Sequence, residues 1–261
     1  MHPLIHTGFG LEFDLPFLVC EGLAMACTQN DDEVATAMLE IEGRASRRED
    51  RSSLAEILDA CAADEELIDS LREDPFHIFD SEGLFGTSKA KLVEYASRYT
   101  VLETEVELRS AELCNATSYL LVGAQRLGKE PRADFFLLHA TNCSILVDFI
   151  VQKDWIGRQG KTRLLSWFGR ISIMMHIAMG CPKLDLTVVR TYKPRKMSGG
   201  WADVIDRSLN YADDGHGCKI IRPHPCSRRK SSVRESARVS DETGGFRERS
   251  CDGRGHLATQ Q

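Results

Sequence analysis

An all-α fold is predicted by three features of this sequence. Apolar residues recur at three- and four-residue spacing in each patterned stretch, the period of a helix with one buried face. No stretch alternates apolar and polar residues in the manner of a half-buried strand. Neither an internal repeat nor a lasting heptad seam is present, which leaves ordinary packed helices. The expected organisation is one multi-helix domain over residues 1–221, packed around a central apolar helix, followed by a disordered polar tail over residues 222–261.

Each element has its own warrant. His2-Pro3-Leu4-Ile5-His6 opens a helix, because proline is tolerated in a first turn whose N–H would lack a partner anyway. Gly8 and Gly10 are expected to loosen the chain directly after it. Leu15 to Thr28, with Phe17, Leu18, Cys20, Leu23 and Cys27, has the period of a core helix. From Asp31 a helix carrying Val34, Met38, Leu39 and Ile41 decays into a charged loop near Arg51. Ser53-Leu54-Ala55-Glu56 matches a capping box, a short helix from Asp64 to Arg72 comes next, and residues 74–86 read as irregular.

Thr87 to Asn115 is long enough for one bent helix or two amphipathic ones. A loop from Gln125 to Arg132, punctuated by Gly128 and Pro131, leads into Asp134 to Val151, apolar on nearly every side and read as the central helix. Lys161 to Met179 forms the next helix and stops at Gly180-Cys181-Pro182. Residues 183–200 are loop-rich, and Trp201 to Ile221 reads as a last helix. Beyond Arg222, a composition of Ser, Arg, Glu, Gly and Asp cannot bury enough surface to offset its ordering entropy. Its arginines could meet RNA, phosphates or acidic partners; a solvated tail is the simpler reading.

Composition narrows the function classes. With 261 residues and 42% hydrophobic content the chain can bury a sizeable core. A formal net charge of −6 argues against a general nucleic-acid binder, which needs a concentrated basic field. Nine cysteines, odd in number and never spaced C-x-x-C, fit neither a disulfide framework nor a zinc knuckle and read as reduced thiols of a cytoplasmic protein. The longest apolar run, 135–151, is broken by His139, Asn142 and Asp148, so no membrane span is expected. Dinucleotide, P-loop, G-x-S-x-G and H-E-x-x-H signatures are all missing.

What remains is a set of nitrogen donors. His139 sits in the most apolar segment, where it is either a core histidine hydrogen-bonded to a backbone carbonyl or to Asn142, or a metal ligand. His2 and His6 are four apart on one helical face, close enough to share an ion. His216 and Lys219 are three apart. Together they suggest a nitrogen-rich transition-metal site between helices. His176, near a helix C-terminus, reads instead as structural.

Three segments, His2 to Phe13, Gly123 to His139 and Asp213 to Lys219, resemble in the right order the signature stretches of the questin oxidase-like family, and the resemblance runs from His2 to about Ile221. It implies a helical oxygenase of fungal polyketide pathways that opens the quinone ring of an anthraquinone, a Baeyer–Villiger-type outcome. Dioxygen and an aromatic polyketide would be its small-molecule partners. It further implies Fe(II) held by His2 or His6, His139 and His216, with Lys219 as a carboxylated lysine, and it associates questin oxidation with NADPH. Phe13, Phe135 and Phe136 are candidates for the substrate pocket, although core packing would explain them equally. Family members carry a further histidine-bearing helical segment ahead of the equivalent of His2, and residues after Arg222 depart from the family. The expectation is therefore a chain truncated at the N-terminus and divergent at the C-terminus. The alternative is a catalytically inactive helical remnant, binding only hydrophobic ligands or a protein partner.

Overall fold

A computed structural model describes residues 1–29, 31–72, 83–126, 128–194, 196 and 199–222. Among them all regular structure is helical. The expected tail beyond Arg222 and most of the 74–86 stretch lie outside the described residues.

α1 (His2–Glu12) starts with Pro3 in its first turn, as its sequence requires, but it does not loosen at the glycines. Helix continues through both because Gly8 and Gly10 are contact points. A Cβ at Gly8 would lie 2.6 Å from Cβ of Leu146, and one at Gly10 would lie 2.6 Å from the backbone nitrogen of Val19. The missing side chains thus bring α1 against two neighbours. Asp14, with φ of 54°, turns the chain into α2 (Pro16–Thr28), which packs on α1.

α2 is a surface helix and not the core helix its period suggests. Only Gly22 is buried, while Phe17 is 65% and Leu23 56% exposed. Helical period identifies an apolar face without saying that anything covers it.

α3 (Asp32–Ala45) is capped by Asp31, whose carboxylate accepts from the Glu33 and Val34 amides. α4 (Leu54–Ala63) carries the expected capping box, Ser53 and Glu56 each satisfying the other's backbone N–H. α5 (Glu65–Arg72) and α6 (Lys89–Ala96) come next. The 87–115 stretch is two helices, since a 3₁₀ turn at Glu103–Glu105 precedes α7 (Val106–Gly123).

α7, α8 (Leu138–Val151) and α9 (Arg158–Ala178) pack on one another, and burial is shared among them. α4 and α6 cover α9, and α1 lies across α8. In α9, His176 is 0% exposed and its Nε2 donates to the Leu58 carbonyl at 3.1 Å, the structural role expected of it. Burial pushes its pKa down to about 4.

α10 (Thr187–Thr191) is a short helix in the loop-rich stretch. The single helix expected over 201–221 is instead α11 (Trp201–Leu209) and α12 (His216–Ile221), separated at Gly215, whose φ of 88° is left-handed. Cys20, Cys27, Cys61, Cys143, Cys181 and Cys218 carry unbridged thiols. No helix of the described residues is long and apolar enough to cross a membrane.

Candidate functional site

The site grows from the open end of α8. The Asp134 carboxylate accepts from the Phe136 and Leu137 amides at 2.8 and 2.9 Å, so it caps a turn at 135–137 and helix proper begins only at Leu138. His139 therefore stands in a first helical turn and is half-buried, not enclosed in the apolar core as its surroundings in sequence suggested. Its Nδ1 lies 2.9 Å from the Phe135 carbonyl. A carbonyl can only accept, so Nδ1 carries a proton, and the tautomer this selects has its lone pair on Nε2. Asn142, the side-chain alternative, is not its partner. That amide is 1% exposed, and neither of its polar atoms has a hydrogen bond among the described residues.

His216 is prepared in the same way by a different acceptor. Asp213 and Asp214 bind the amides that open α12: Gly215 and Gly217 donate to Asp213 at 2.7 Å each, and His216 N donates to Asp214 at 3.4 Å. The ring Nδ1 of His216 is 2.6 Å from Asp214 Oδ1. That hydrogen bond holds the Asp214 carboxyl below the usual carboxylate range, so Asp214 is an anionic acceptor at neutral pH. Asp214 was within reach of sequence reasoning, since an Asp two residues before a histidine can fold back onto its ring.

The helices bring these rings together. His139 and His216 have centroids 5.9 Å apart, and His2, from the first turn of α1, meets His139 edge-on at 5.5 Å. Phe135 covers one side, 5.3 Å from His139 and 4.8 Å from His216. Partial burial, then the charges of His139, the terminal ammonium, His6 and Lys219, lower the pKa of His2. Lys219, one turn beyond His216 on α12, therefore belongs to the same electrostatic neighbourhood.

Other expected residues stand apart. His6 has its Nδ1 3.5 Å from Glu21 Oε2 on α2, without hydrogen-bond geometry, so of the two α1 histidines it is His2 whose ring meets His139. Phe13 lies at the far end of α1, about 16 Å along the helix from His2, and stacks on Phe9 at 5.9 Å. Phe136 packs against the core. The apolar cavity near the site has other walls. It measures about 250 Å³ and is lined by Leu121, Val122, Val188, Val189, Tyr192 and Ile220, with Gln125 and Arg132 at its polar side. Ile220 comes directly after Lys219 on α12, and Ala133, also in the lining, precedes Phe135 by two residues. Val188, Val189 and Tyr192 fall in a stretch whose sequence carries no periodic signal.

In donor chemistry the three imidazoles suit a divalent transition metal, because each of two rings has its Nδ1 fixed by an oxygen acceptor, the outer-shell arrangement that orients histidine ligands. Their spacing is that of an open cluster. Among the described residues no three His, Cys, Asp or Glu side chains stand close enough to hold an ion as they are. Ring adjacency and the absence of a finished cage are compatible, since neighbouring rings need not aim their nitrogens at one point.

A helical domain with a histidine cluster between its first and last described helices matches the family model for questin oxidase-like proteins over residues 1–223. The chain belongs to the questin oxidase-like family. It is 33% identical over 224 residues to a Baeyer-Villiger oxidase, ptaJ, of Pestalotiopsis fici, covering 85% of this chain and 50% of the relative. It is similar to the oxidoreductase AflY of Aspergillus parasiticus, at 32% identity over 87% of this chain and 46% of the relative. A questin oxidase of Aspergillus terreus is 29% identical over 85% of this chain and 50% of the relative. The chain thus spans about half the length of these relatives.

Proposed function

We propose that this chain is an oxygenase acting on an anthraquinone-type polyketide in fungal secondary metabolism, opening its quinone ring with a Baeyer–Villiger-type outcome. The observation that carries this reading is the convergence of His2, His139 and His216 beside Phe135, in a chain of the questin oxidase-like family. In this reading His2, His139 and His216 hold Fe(II), His6 stands behind His2 on the same helix face, and Lys219 adds an oxygen donor. The Lys219 amine takes up carbon dioxide and releases a proton, turning a cation that would repel the metal into an anionic carbamate. Bound iron would supply activation of dioxygen. NADPH would supply two electrons where one oxygen atom leaves as water.

The chain's own residues do the positioning. The Phe135 carbonyl and the Asp214 carboxylate hold the His139 and His216 rings in one tautomer, with Nε2 available. The Phe135 ring shields the cluster from water on one side. The apolar cavity beside Ile220 is suited to the flat hydrocarbon body of the substrate, with Tyr192 as an aromatic wall and Arg132 near an edge.

Anaerobic reconstitution with Fe(II), metal analysis and a ring-opening assay on an anthraquinone test the proposal together. Stoichiometric iron is expected in the native chain, with loss of most of it in His139→Ala and in His216→Ala. Equal iron in the native and variant proteins refutes the site.

A second reading, a helical module without catalysis, is favoured by one observation: α2 leaves Phe17 and Leu23 exposed. It expects strong binding of a hydrophobic dye and no ring opening even with iron bound.

A further inference from the structure

α12 carries two members of the proposed site and rests on α11 and α8, with Ile220 against the core and the Cys218 thiol donating to the Ser208 carbonyl at 3.2 Å. It spans six residues, too short to be stable alone, and none of its residues is buried. On the α11 side it borders a cavity of about 300 Å³ lined by Ile205, Leu209, Cys218 and Ile221. Its N-terminus is tied down by Asp213 and Asp214. At its other end stands Arg222, and there the contacts cross the whole chain to α1.

The Arg222 guanidinium pairs with the Glu12 carboxylate through Nη2 and Oε1. It also lies over two aromatic faces, 5.2 Å from the Phe9 centroid and 5.4 Å from that of Phe13. The other Glu12 oxygen is buried and has no hydrogen bond among the described residues, and among these Arg222 pairs with this carboxylate. Phe13, expected to face substrate, is thereby half of an aromatic seat for an arginine.

We propose that Arg222 is a positioning residue. Clasped by Glu12, Phe9 and Phe13, it fastens the end of α12 to the end of α1 and so sets the separation of His216 and Lys219 from His2. This rests on the reading of the histidines as ligands, but the clasp itself can be tested without it. A planar cation held by stacking and an ion pair is poorly replaced by lysine and not at all by alanine. The effect should therefore grade as native, Arg222→Lys, Arg222→Ala.

The test uses the full chain with Arg222→Ala, Arg222→Lys and Glu12→Gln. Amide hydrogen exchange reads the hold on α12, and the proton shifts of the His216 ring, set by the Phe135 face 4.8 Å away, read its place. Co(II) titration reads the ligand set. Arg222→Ala should speed exchange across 216–221 by about tenfold, leave α8 and α9 unchanged, move the His216 shifts toward those of an unstructured histidine and weaken Co(II) by a comparable factor. Arg222→Lys should fall between. Unchanged exchange and ring shifts in Arg222→Ala overturn the clasp. Faster exchange with unaltered Co(II) affinity overturns its positioning role. Should the native chain bind neither Co(II) nor Fe(II), the metal reading falls, while exchange and ring shifts still decide for or against the clasp.

Discussion

Two histidines that each follow an apolar pair in sequence, Leu137-Leu138 and Met174-Met175, end in different situations. His176 is sealed between α9 and α4, neutral and giving its one proton to Leu58. Its folded pKa of about 4 lies below the ordinary 6.5, so between these values the unfolded chain binds more protons. Its contribution is complete above about pH 6.5 and is lost as pH falls toward 4, by about 3 kcal/mol. Urea denaturation at neutral pH and near pH 4.5 should show that loss, and His176→Asn should show a much smaller one. His139 escapes enclosure because Asp134 delays the start of α8 by one turn. The capping carboxylate was legible as a residue type, but apolar periodicity on both sides of it hid the helix start. Gly8 shows the reverse. In sequence it looks like a weakness, yet it is a point of close approach, and Gly8→Ala should lower stability by about 1–3 kcal/mol, readable by thermal melting, and, through separation of His2 from His139, weaken metal binding at the proposed site, readable by metal analysis.

At the scale of elements, local rules are legible where a motif closes on itself. The Ser53 and Glu56 box is satisfied as its spacing demands, and Ser53→Ala should cost about 1 kcal/mol in equilibrium unfolding. Features that depend on a partner are not. α2 has the period of a core helix and an uncovered face, since period reports which side is apolar and not what lies against it. The division of α11 from α12 was available in Asp213-Asp214-Gly215, a turn signal that a run of helix-compatible residues on either side overrode. The cavity walls at Val188, Val189 and Tyr192 come from a short helix whose position is set by α7, and no local pattern could have singled them out.

At the scale of the molecule, the all-α class is legible from period alone, and the three signature segments that suggested the family are the segments that supply the histidine cluster. What linear reading could not do was choose between His2 and His6, since both sit on one helix face and only the packing of α1 across α8 decides which ring reaches His139. That packing has a consequence for biosynthesis. His2 is made more than two hundred positions ahead of His216, so a very long loop must shut before the rings can meet. α8 and α9 can be in place early, whereas the cradle between α1 and α12 is assembled late, when translation has passed Arg222. A nascent chain stalled short of that arginine would therefore be folded at its heart while His2 and His139 still wait for the third ring.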